Sequence, residues 1–330
     1  MRCIFCLEEQ EPSCEHVFPA AIGGTFTIDR VCKPCNDRLG AEVDCKLSDH
    51  LACIIVREQL GMIDGDGRPV RSWPKIFGEG VLTADPTRVI ETHQDRETGR
   101  FTSKLRVHSQ KVKGPDGTEH EERSIDLSDI DRIPIIVQRW RKRDGLPPLS
   151  NQELETLKEQ ALRNVHTIDQ PDVILRTKGI DLKAFNEAYK PAIAKIAYEI
   201  GWFWLGDAYL DDPHAAVLRD YIFGRRHDLP NARFEFDESF TGFAPWAAEP
   251  NAHLAIGTSQ ARSYAIALRV FEIFVAVIEV TAENERYKDR DWSNFLLIDP
   301  ATGAQRASIL SDELLRIRRL ELRREREPSR

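Results

Sequence analysis

Two Cys-x-x-Cys pairs at the start of this 330-residue chain have the spacing of a metal site. Cys3 and Cys6 form the first pair, Cys32 and Cys35 form the second, and twenty-five residues lie between the pairs. Each pair can occupy one edge of a tetrahedron, so the pattern predicts a zinc ion held by four thiolates. A closed shell of four thiolates leaves no position for water or substrate, and we therefore expect this Zn²⁺ to be structural.

The four cysteines could instead be buried free thiols, or they could form disulfides. Because the first cysteine is Cys3, a secretory leader does not fit before it, and we expect a reducing compartment that favours zinc over disulfides. Cys14, Cys45 and Cys53 have no partner at ligand spacing, and Cys14 is the weaker candidate for a zinc ligand.

The residues around the second pair carry a recognisable combination. Glu15-His16 precedes Gly23-Gly24, and Asn36 directly follows Cys35. This stretch resembles the HNH endonucleases of the ββα-metal (His-Me finger) group, in the subset whose core is held by four cysteines. The resemblance covers about residues 3–45. It implies a zinc-stapled ββα module and an endonuclease that hydrolyses DNA phosphodiester bonds.

The resemblance also implies roles for individual residues. In that family the acidic residue before the histidine and the asparagine that opens the helix hold one divalent cation, and the histidine is the general base. These roles fall on Glu15, Asn36 and His16, with Mg²⁺ or Mn²⁺ as the catalytic ion. Lys33 and Arg38 are candidates for contacts with phosphate, although basic residues near a helix start are more often simply solvated.

The chain departs from the family pattern in two places. The family has an asparagine in the middle of the motif, a few residues before the second cysteine pair. The corresponding positions in this chain are Thr27, Ile28 and Asp29. A threonine hydroxyl or an aspartate carboxylate could make an equivalent hydrogen bond to the loop that carries the histidine. Some relatives have a second metal-binding histidine one turn after the asparagine, where this chain has Gly40, which favours a metal site with two protein ligands.

These departures keep a second interpretation open. The protein could be a catalytically inactive, zinc-stabilised protein that binds nucleic acid or serves as a scaffold. His16 would then only satisfy a turn.

Charge argues against a protein that binds DNA by electrostatics alone. The formal net charge is −8. Residues 1–60 contain six Lys and Arg against ten Asp and Glu, a net charge of −4. We therefore expect weak intrinsic affinity for DNA unless a metal, a local basic patch or a partner supplies the attraction.

Length and composition predict more than one domain. The chain is 41% hydrophobic and 30% charged, which is ordinary for a protein with a sizeable core. We predict an HNH module with structural zinc over residues 1–60 and an α+β targeting, dimerisation or sensing domain over residues 61–330. The second range could divide further into a β-rich part, 61–145, and an α+β part, 146–330.

The remaining patterns predict a mixed fold. Strand-like stretches over 81–127 favour a meander, and two helical patterns cover 151–162 and 181–210. The last third is typical of antiparallel strands, and the tail 312–330 favours a docked amphipathic helix. The expected fold class is α+β: an N-terminal zinc-stapled ββα-metal module followed by a larger mixed domain with antiparallel strands.

Several functional classes receive no support from the sequence. No apolar run reaches membrane-spanning length, so we expect a cytoplasmic protein without a membrane partner. A phosphate-binding glycine loop and a nucleophile elbow are both missing. By analogy with small HNH modules fused to larger domains in bacterial restriction and antiviral defence, we expect DNA as substrate, an activating ligand or protein partner, and a homo-oligomer if both strands are cut.

Overall fold

The structure is a computed structural model that describes twelve stretches of the chain. They are residues 1–72, 79–83, 88–94, 101–106, 108–113, 117–165, 173–176, 182–236, 241–246, 249–260, 263–290 and 293–326. Among these residues, no helix has the length and apolar character needed to cross a lipid bilayer.

The chain forms two compact units. Residues Met1–Val70 and Ile180–Arg330 make up the first unit, and Arg71–Gly179 make up the second. These units do not follow the boundary expected at residue 61, because helices and strands of the last 150 residues pack directly against the N-terminal module. The functional division into a nuclease module, 1–60, and a targeting or sensing part, 61–330, stays a prediction.

The first unit begins with a ββα arrangement. Strand β1 (Pro12–His16) pairs antiparallel with strand β2 (Thr27–Cys32), and helix α1 (Lys33–Leu39) follows immediately. Pro34 lies in the first turn of α1, where its missing N–H costs no hydrogen bond. The pairing register shifts between Ser13 and Glu15, which is a β-bulge in the strand that carries Glu15 and His16.

The helical region after α1 is interrupted. It continues as a π-helical segment (Gly40–Asp44) and as helix α2 (Cys45–Ser48), and helix α3 (Leu51–Gln59) then starts afresh. His50 caps α3, because its ring nitrogen Nδ1 accepts a hydrogen bond from the N–H of Ala52.

The described residues of the second unit form six strands and two longer helices. A four-stranded antiparallel sheet has the order β5-β4-β3-β8, and β6 and β7 form a separate hairpin. The elements are β3 (Glu79–Leu82), β4 (Val89–Gln94), β5 (Phe101–Leu105), β6 (His108–Lys113), β7 (Glu119–Ser124), a 3₁₀ turn (Leu127–Arg132), α4 (Ile133–Arg143), α5 (Asn151–Arg163) and β8 (Val173–Arg176). Ser150 and Glu153 form a complete capping box at the start of α5.

The rest of the first unit packs helices on a six-stranded antiparallel sheet. The helices are α6 (Leu182–Glu187), α7 (Lys190–Leu205), α8 (Pro213–Ile222) and α9 (Leu310–Arg326), with 3₁₀ turns at Ala20–Ile22, Asp207–Asp211, Thr241–Trp246 and Asn284–Tyr287. The strands are β9 (Ala232–Phe236), β10 (His253–Gln260), β11 (Ser263–Val270), β12 (Phe274–Thr281), β13 (Asn294–Ile298) and β14 (Gln305–Ile309). The strand order is β14-β13-β10-β11-β12-β9. The predicted fold class is confirmed.

Helix α7 is the central element of the core of this unit. It contacts β11, β12 and α8, and all residues from Ala192 to Gly201 are buried. Pro191 lies in its first turn. Within the last third of the chain, strands β11 and β12 are separated by a turn in which Phe271 has a φ of 53°.

The C-terminal helix differs in part from the prediction of a docked amphipathic helix. Leu314, Leu315 and Leu320 are exposed, so these leucines do not dock on the described surface. The helix does dock through Leu310 and Ile317, which pack against the core cluster that contains Trp246. Buried Glu313 adds to this contact, because it accepts hydrogen bonds from the indole N–H of Trp246 and from Arg306.

The loop between β1 and β2 packs against the six-stranded sheet. The ring of Phe18 stacks on His253, with centroids 5.2 Å apart. His253 donates from Nε2 to the carbonyl oxygen of Ile22 (2.8 Å), and its Nδ1 accepts from the N–H of Phe271 (3.3 Å). Burial lowers the pKa of His253 to about 4, so the folded protein holds this ring neutral. The N-terminal module is thereby anchored to β10.

We predict that His253 makes the protein less stable as the pH falls. Its folded pKa lies below the unfolded value of about 6.5, so its contribution is complete above pH 6.5 and is lost as the pH drops to about 4. The full loss is about 3 kcal/mol in the free energy of unfolding. Urea unfolding should show that His253→Phe is less stable than wild type at pH 7.5. The difference between their free energies of unfolding should become smaller toward pH 4.5. A difference independent of pH would contradict this assignment.

Candidate functional site

The four predicted zinc ligands lie together in the folded chain. The sulfur atoms of Cys3, Cys6, Cys32 and Cys35 are all within 4.8 Å of one another. The sulfurs of Cys6 and Cys32 are 3.8 Å apart. A tetrahedral zinc with bonds of about 2.3 Å separates its sulfurs by about 3.8 Å, so this arrangement fits the ion. Among the described residues, no other group of three or more His, Cys, Asp or Glu side chains converges in this way.

The electrostatics of the cluster also fit a bound cation. Burial raises the pKa of Cys6 to about 11 and raises the pKa of Cys35 further, and the neighbouring thiols add to both shifts. Four adjacent thiols cannot all ionise without a compensating positive charge. Cys14 is exposed and lies outside the cluster, in agreement with its lower rank as a ligand.

Helix α7 holds the first pair of cysteines in place. The hydroxyl of Tyr198 donates a hydrogen bond to the carbonyl oxygen of Ile4, which lies between Cys3 and Cys6. Arg219 in turn donates to the Tyr198 hydroxyl (3.1 Å). The zinc-binding turn therefore rests on the buried core of the same unit.

Asn36 lies in the first turns of α1 and is oriented by strand β1. Its amide nitrogen Nδ2 donates to the carbonyl oxygen of Cys14 (2.8 Å) and to the hydroxyl of Ser13 (3.0 Å). Since Cys14 offers only an acceptor at this point, the nitrogen must face it, and the amide oxygen Oδ1 points elsewhere. Within the described part of the chain that oxygen has no hydrogen-bond donor, so it is available to a ligand.

Glu15 makes a contact that the motif does not anticipate. Its carboxylate is 3% exposed and accepts a hydrogen bond from the ammonium of Lys195, which is 0% exposed, at 2.6 Å. The same Nζ donates to the carbonyl oxygen of His16 (2.9 Å) and to Oδ2 of Asp44 (3.0 Å). Glu199, one helical turn after Lys195, has Oε2 at 3.7 Å from this nitrogen.

Three carboxylates thus surround one ammonium. Burial raises the pKa of Glu15 and of Asp44, and it raises the pKa of Glu199 most strongly. Burial alone would lower the pKa of Lys195, but the three carboxylates outweigh it and hold that pKa above its usual range. The excess of carboxylate over ammonium would be relieved by a further cation.

Sequence reasoning did not select Lys195 or Asp44. Lys195 is 180 residues away from Glu15, and Asp44 lies in the helical region after the motif. A signal was present, because Lys195 and Glu199 interrupt the apolar stripe of α7. A lysine and a glutamate one turn apart on a buried face must have partners, but the pattern does not name them.

His16 is half-buried at the end of β1, directly opposite Thr27 in the strand pairing. Its backbone is held by Lys195. No hydrogen bond from the described residues reaches its imidazole ring, so the ring nitrogens are free to interact with water.

The substitutes for the middle asparagine of the motif do not brace the histidine. Thr27 and Asp29 are exposed, and neither side chain makes a hydrogen bond to the loop within the described residues. They line an open groove of about 390 Å³ together with Cys14, Ile28, Trp202 and Phe203. The carbonyl oxygen of His16 instead accepts a hydrogen bond from Lys195.

The two basic residues proposed for phosphate binding already have partners. Lys33 pairs with Asp37 (2.7 Å), and Arg38 pairs with Glu42 (2.8 Å). Contact of either residue with nucleic acid stays a prediction. Gly40 faces open space, since a Cβ built there would meet no atom within 4 Å.

The comparison with protein families agrees with this geometry. A family model described as HNH endonuclease matches residues 3–52, a range that contains both cysteine pairs, Glu15, His16 and Asn36. No curated protein and no solved structure matches the chain. The resemblance to HNH endonucleases is confirmed for this N-terminal part.

We predict that the cysteine cluster binds one zinc ion per chain and that folding depends on it. Cys35→Ser should abolish zinc retention and lower the Tm by roughly 10 °C, because a ligand that closes the module is lost. Cys14→Ser is the matched control, since this exposed thiol lies outside the cluster, and it should leave both quantities unchanged. Metal content by mass spectrometry and thermal unfolding test the pair. Zinc retained by Cys35→Ser would contradict the assignment.

Proposed function

We propose that this protein is a metal-dependent endonuclease that hydrolyses DNA phosphodiester bonds at the N-terminal module, residues 1–60. The observation that carries the proposal is the joint position of three side chains in the matched ββα unit. Glu15 and His16 are adjacent on β1, and Asn36 of α1 bonds to the residues just before them. The four-cysteine cluster would hold Zn²⁺ and keep the hairpin and helix together.

His16 is the proposed general base. Its ring takes a proton from a water molecule, and the water oxygen forms a bond to phosphorus as the bond from phosphorus to the leaving 3′ oxygen breaks. The unbonded state of the ring supports this role, because a base must be able to reach the water. The bond from Lys195 to the His16 carbonyl limits motion of the strand that carries the ring.

Glu15 and Asn36 are the proposed ligands of a catalytic Mg²⁺ or Mn²⁺. Both offer hard oxygen donors, and the amide of Asn36 is turned so that its oxygen is free. Lys195 bonds to Oε1 of Glu15, and a carboxylate has a second oxygen that can serve a cation. Such an ion stabilises the negative charge that develops on the phosphate and on the leaving oxygen. Gly40 supplies no third ligand, so water and phosphate would complete the shell.

The charge distribution supports a regulated enzyme. The net charge is −8, and both Lys33 and Arg38 are neutralised by nearby carboxylates. Weak attraction to DNA would limit cutting until an activating ligand, a protein partner or a second copy of the chain brings the substrate. A role for residues 61–330 in targeting, sensing or dimerisation follows from this proposal, as does an effector role in restriction or antiviral defence by family analogy.

One observation favours the alternative of an inactive zinc-stabilised scaffold or nucleic-acid-binding protein. The ammonium of Lys195 already neutralises Glu15, which is a proposed metal ligand. On this alternative the module keeps the HNH fold and binds no catalytic ion.

We predict that wild-type protein converts supercoiled plasmid to open-circular or linear DNA with added Mg²⁺ or Mn²⁺. His16→Ala should lower the rate by about a hundredfold or more, because the general base is lost. His227→Ala removes an exposed histidine far along the chain and should cut like wild type. The control reaction without Mg²⁺ or Mn²⁺ should use protein that has been dialysed free of these ions and still holds its zinc. A strong chelator is unsuitable, because it could remove the zinc as well.

The outcomes separate the two functions. Cutting that requires metal and His16 supports the nuclease. No cutting by wild type with either metal, in the presence of one retained zinc per chain and at high protein concentration, contradicts intrinsic nuclease activity and favours the scaffold.

A further inference from the structure

We infer that Lys195 is a positioning residue of the proposed nuclease centre and that helix α7 sets the geometry of the catalytic strand through it. Lys195 lies outside the range 3–52 that matches the family, so the motif itself does not include it. The inference rests on the proposed function where it concerns catalysis. Its structural part, the ordering of β1 by Lys195, can be tested by itself.

All three hydrogen-bond donors of the Lys195 ammonium have an acceptor at this site. An ammonium has three N–H donors, and three acceptors lie at 2.6, 2.9 and 3.0 Å from Nζ. One acceptor is the Glu15 carboxylate and another is the His16 backbone, so a single atom fixes two consecutive residues of β1. The third acceptor, Asp44, comes from the end of the π-helical segment after α1. Lys195 thereby links β1, which carries Glu15 and His16, to the helical segment that continues from α1, the helix that carries Asn36.

A buried ion pair is a costly way to gain stability alone. Removing an ammonium from water is energetically unfavourable, and apolar residues at such positions are often equally stabilising. The neighbours of Lys195 on α7, Ala194 and Ile196, are fully buried and apolar. A charged residue on this helix therefore points to a requirement for defined geometry at Glu15 and His16.

Helix α7 can fix the position of β1 because the helix is itself held by packing against other elements of the core. It packs on β11, β12 and α8, and Tyr198, one turn after Lys195, bonds to the zinc-binding turn at Ile4. Two contacts on one helix thus reach the catalytic strand and the zinc site. The exposed and unbonded Thr27 and Asp29 leave the histidine strand without the brace that the family asparagine provides, and Lys195 supplies a brace from outside the motif.

Glu199 offers a matched control on the same helix. It is as deeply buried as Lys195, and its Oε2 lies 3.7 Å from Nζ. Neither of its carboxylate oxygens takes part in a hydrogen bond with the described residues. Glu199→Gln therefore replaces this carboxyl group by a neutral amide of nearly the same shape next to Lys195 and leaves the three bonds of Nζ in place.

The test compares full-length wild type, Lys195→Met and Glu199→Gln by amide hydrogen exchange and by cleavage. We expect faster exchange in β1 (Pro12–His16) for Lys195→Met and unchanged exchange there for Glu199→Gln. In single-turnover cleavage of a labelled duplex with Mn²⁺, the rate at saturating enzyme should fall about ten- to hundredfold for Lys195→Met. The enzyme concentration at half-maximal rate should stay within about threefold of wild type, because Lys195 is buried and does not contact DNA.

Loss of folding is controlled by a second variant. If Lys195→Met is unfolded at the assay temperature, the double variant Lys195→Met/Glu15→Gln removes both charges of the shortest ion pair and restores a neutral contact. We expect it to fold and still to show faster exchange in β1, because the bond to the His16 carbonyl is absent.

The two proposals fail in different ways. If wild type cuts DNA and β1 exchanges equally in wild type and both Lys195 variants, the positioning role is overturned and the nuclease stands. A similar increase in Glu199→Gln also overturns it, because any buried change on α7 would then have the same effect. If wild type does not cut, the proposed nuclease fails, and the exchange of β1 alone decides whether Lys195 orders the strand.

Discussion

The contact between the buried ammonium of Lys195 and the carboxylate of Glu15 is the constraint on which the N-terminal centre depends. A charge removed from water must find partners within hydrogen-bonding distance, and Lys195 finds them in Glu15, the His16 carbonyl and Asp44. Glu15 and His16 belong to β1 and Asp44 to the helical segment that follows α1, whereas Lys195 belongs to the helix around which the core of the same compact unit is built. The native packing of the strand and that of the helix are therefore coupled, because a buried Lys195 without these acceptors would be an unpaired charge.

Further contacts reinforce the same attachment. A hairpin-and-helix unit of this size buries little apolar surface by itself, so a metal site and packed neighbours both favour its folded state. The four cysteines supply the metal site. Phe18 and His253 join the loop after β1 to the six-stranded sheet, and Tyr198 joins α7 to the first cysteine pair. Gly23, with a φ of +85°, is required in that loop, since a Cβ there would lie 2.6 Å from Pro300.

Much of the fold could be predicted from local patterns. The antiparallel strands of the last third and the helix at Asn151–Arg163 follow from hydrophobic periodicity and capping signals, which act over a few residues. The break at His50, the turn at Phe271 and the exposure of Leu314 and its neighbours were not predicted. Each of these depends on which distant surface an element meets, and periodicity carries no such information. For the same reason the first compact unit combines the two ends of the chain, which local patterns did not indicate.

The sequence by itself determined the four-cysteine cluster and the ββα order, and it nominated Glu15, His16 and Asn36 as site residues, which stay a prediction. These features are encoded by residue types at short, defined spacings, and metal and capping geometry translate such spacings directly into structure. Only the tertiary structure decided that Lys195 and Asp44 surround Glu15 and that Thr27 and Asp29 face an open groove. A lysine in an apolar helical stripe shows that a partner exists. Its identity depends on packing between segments 180 residues apart, which no local pattern records.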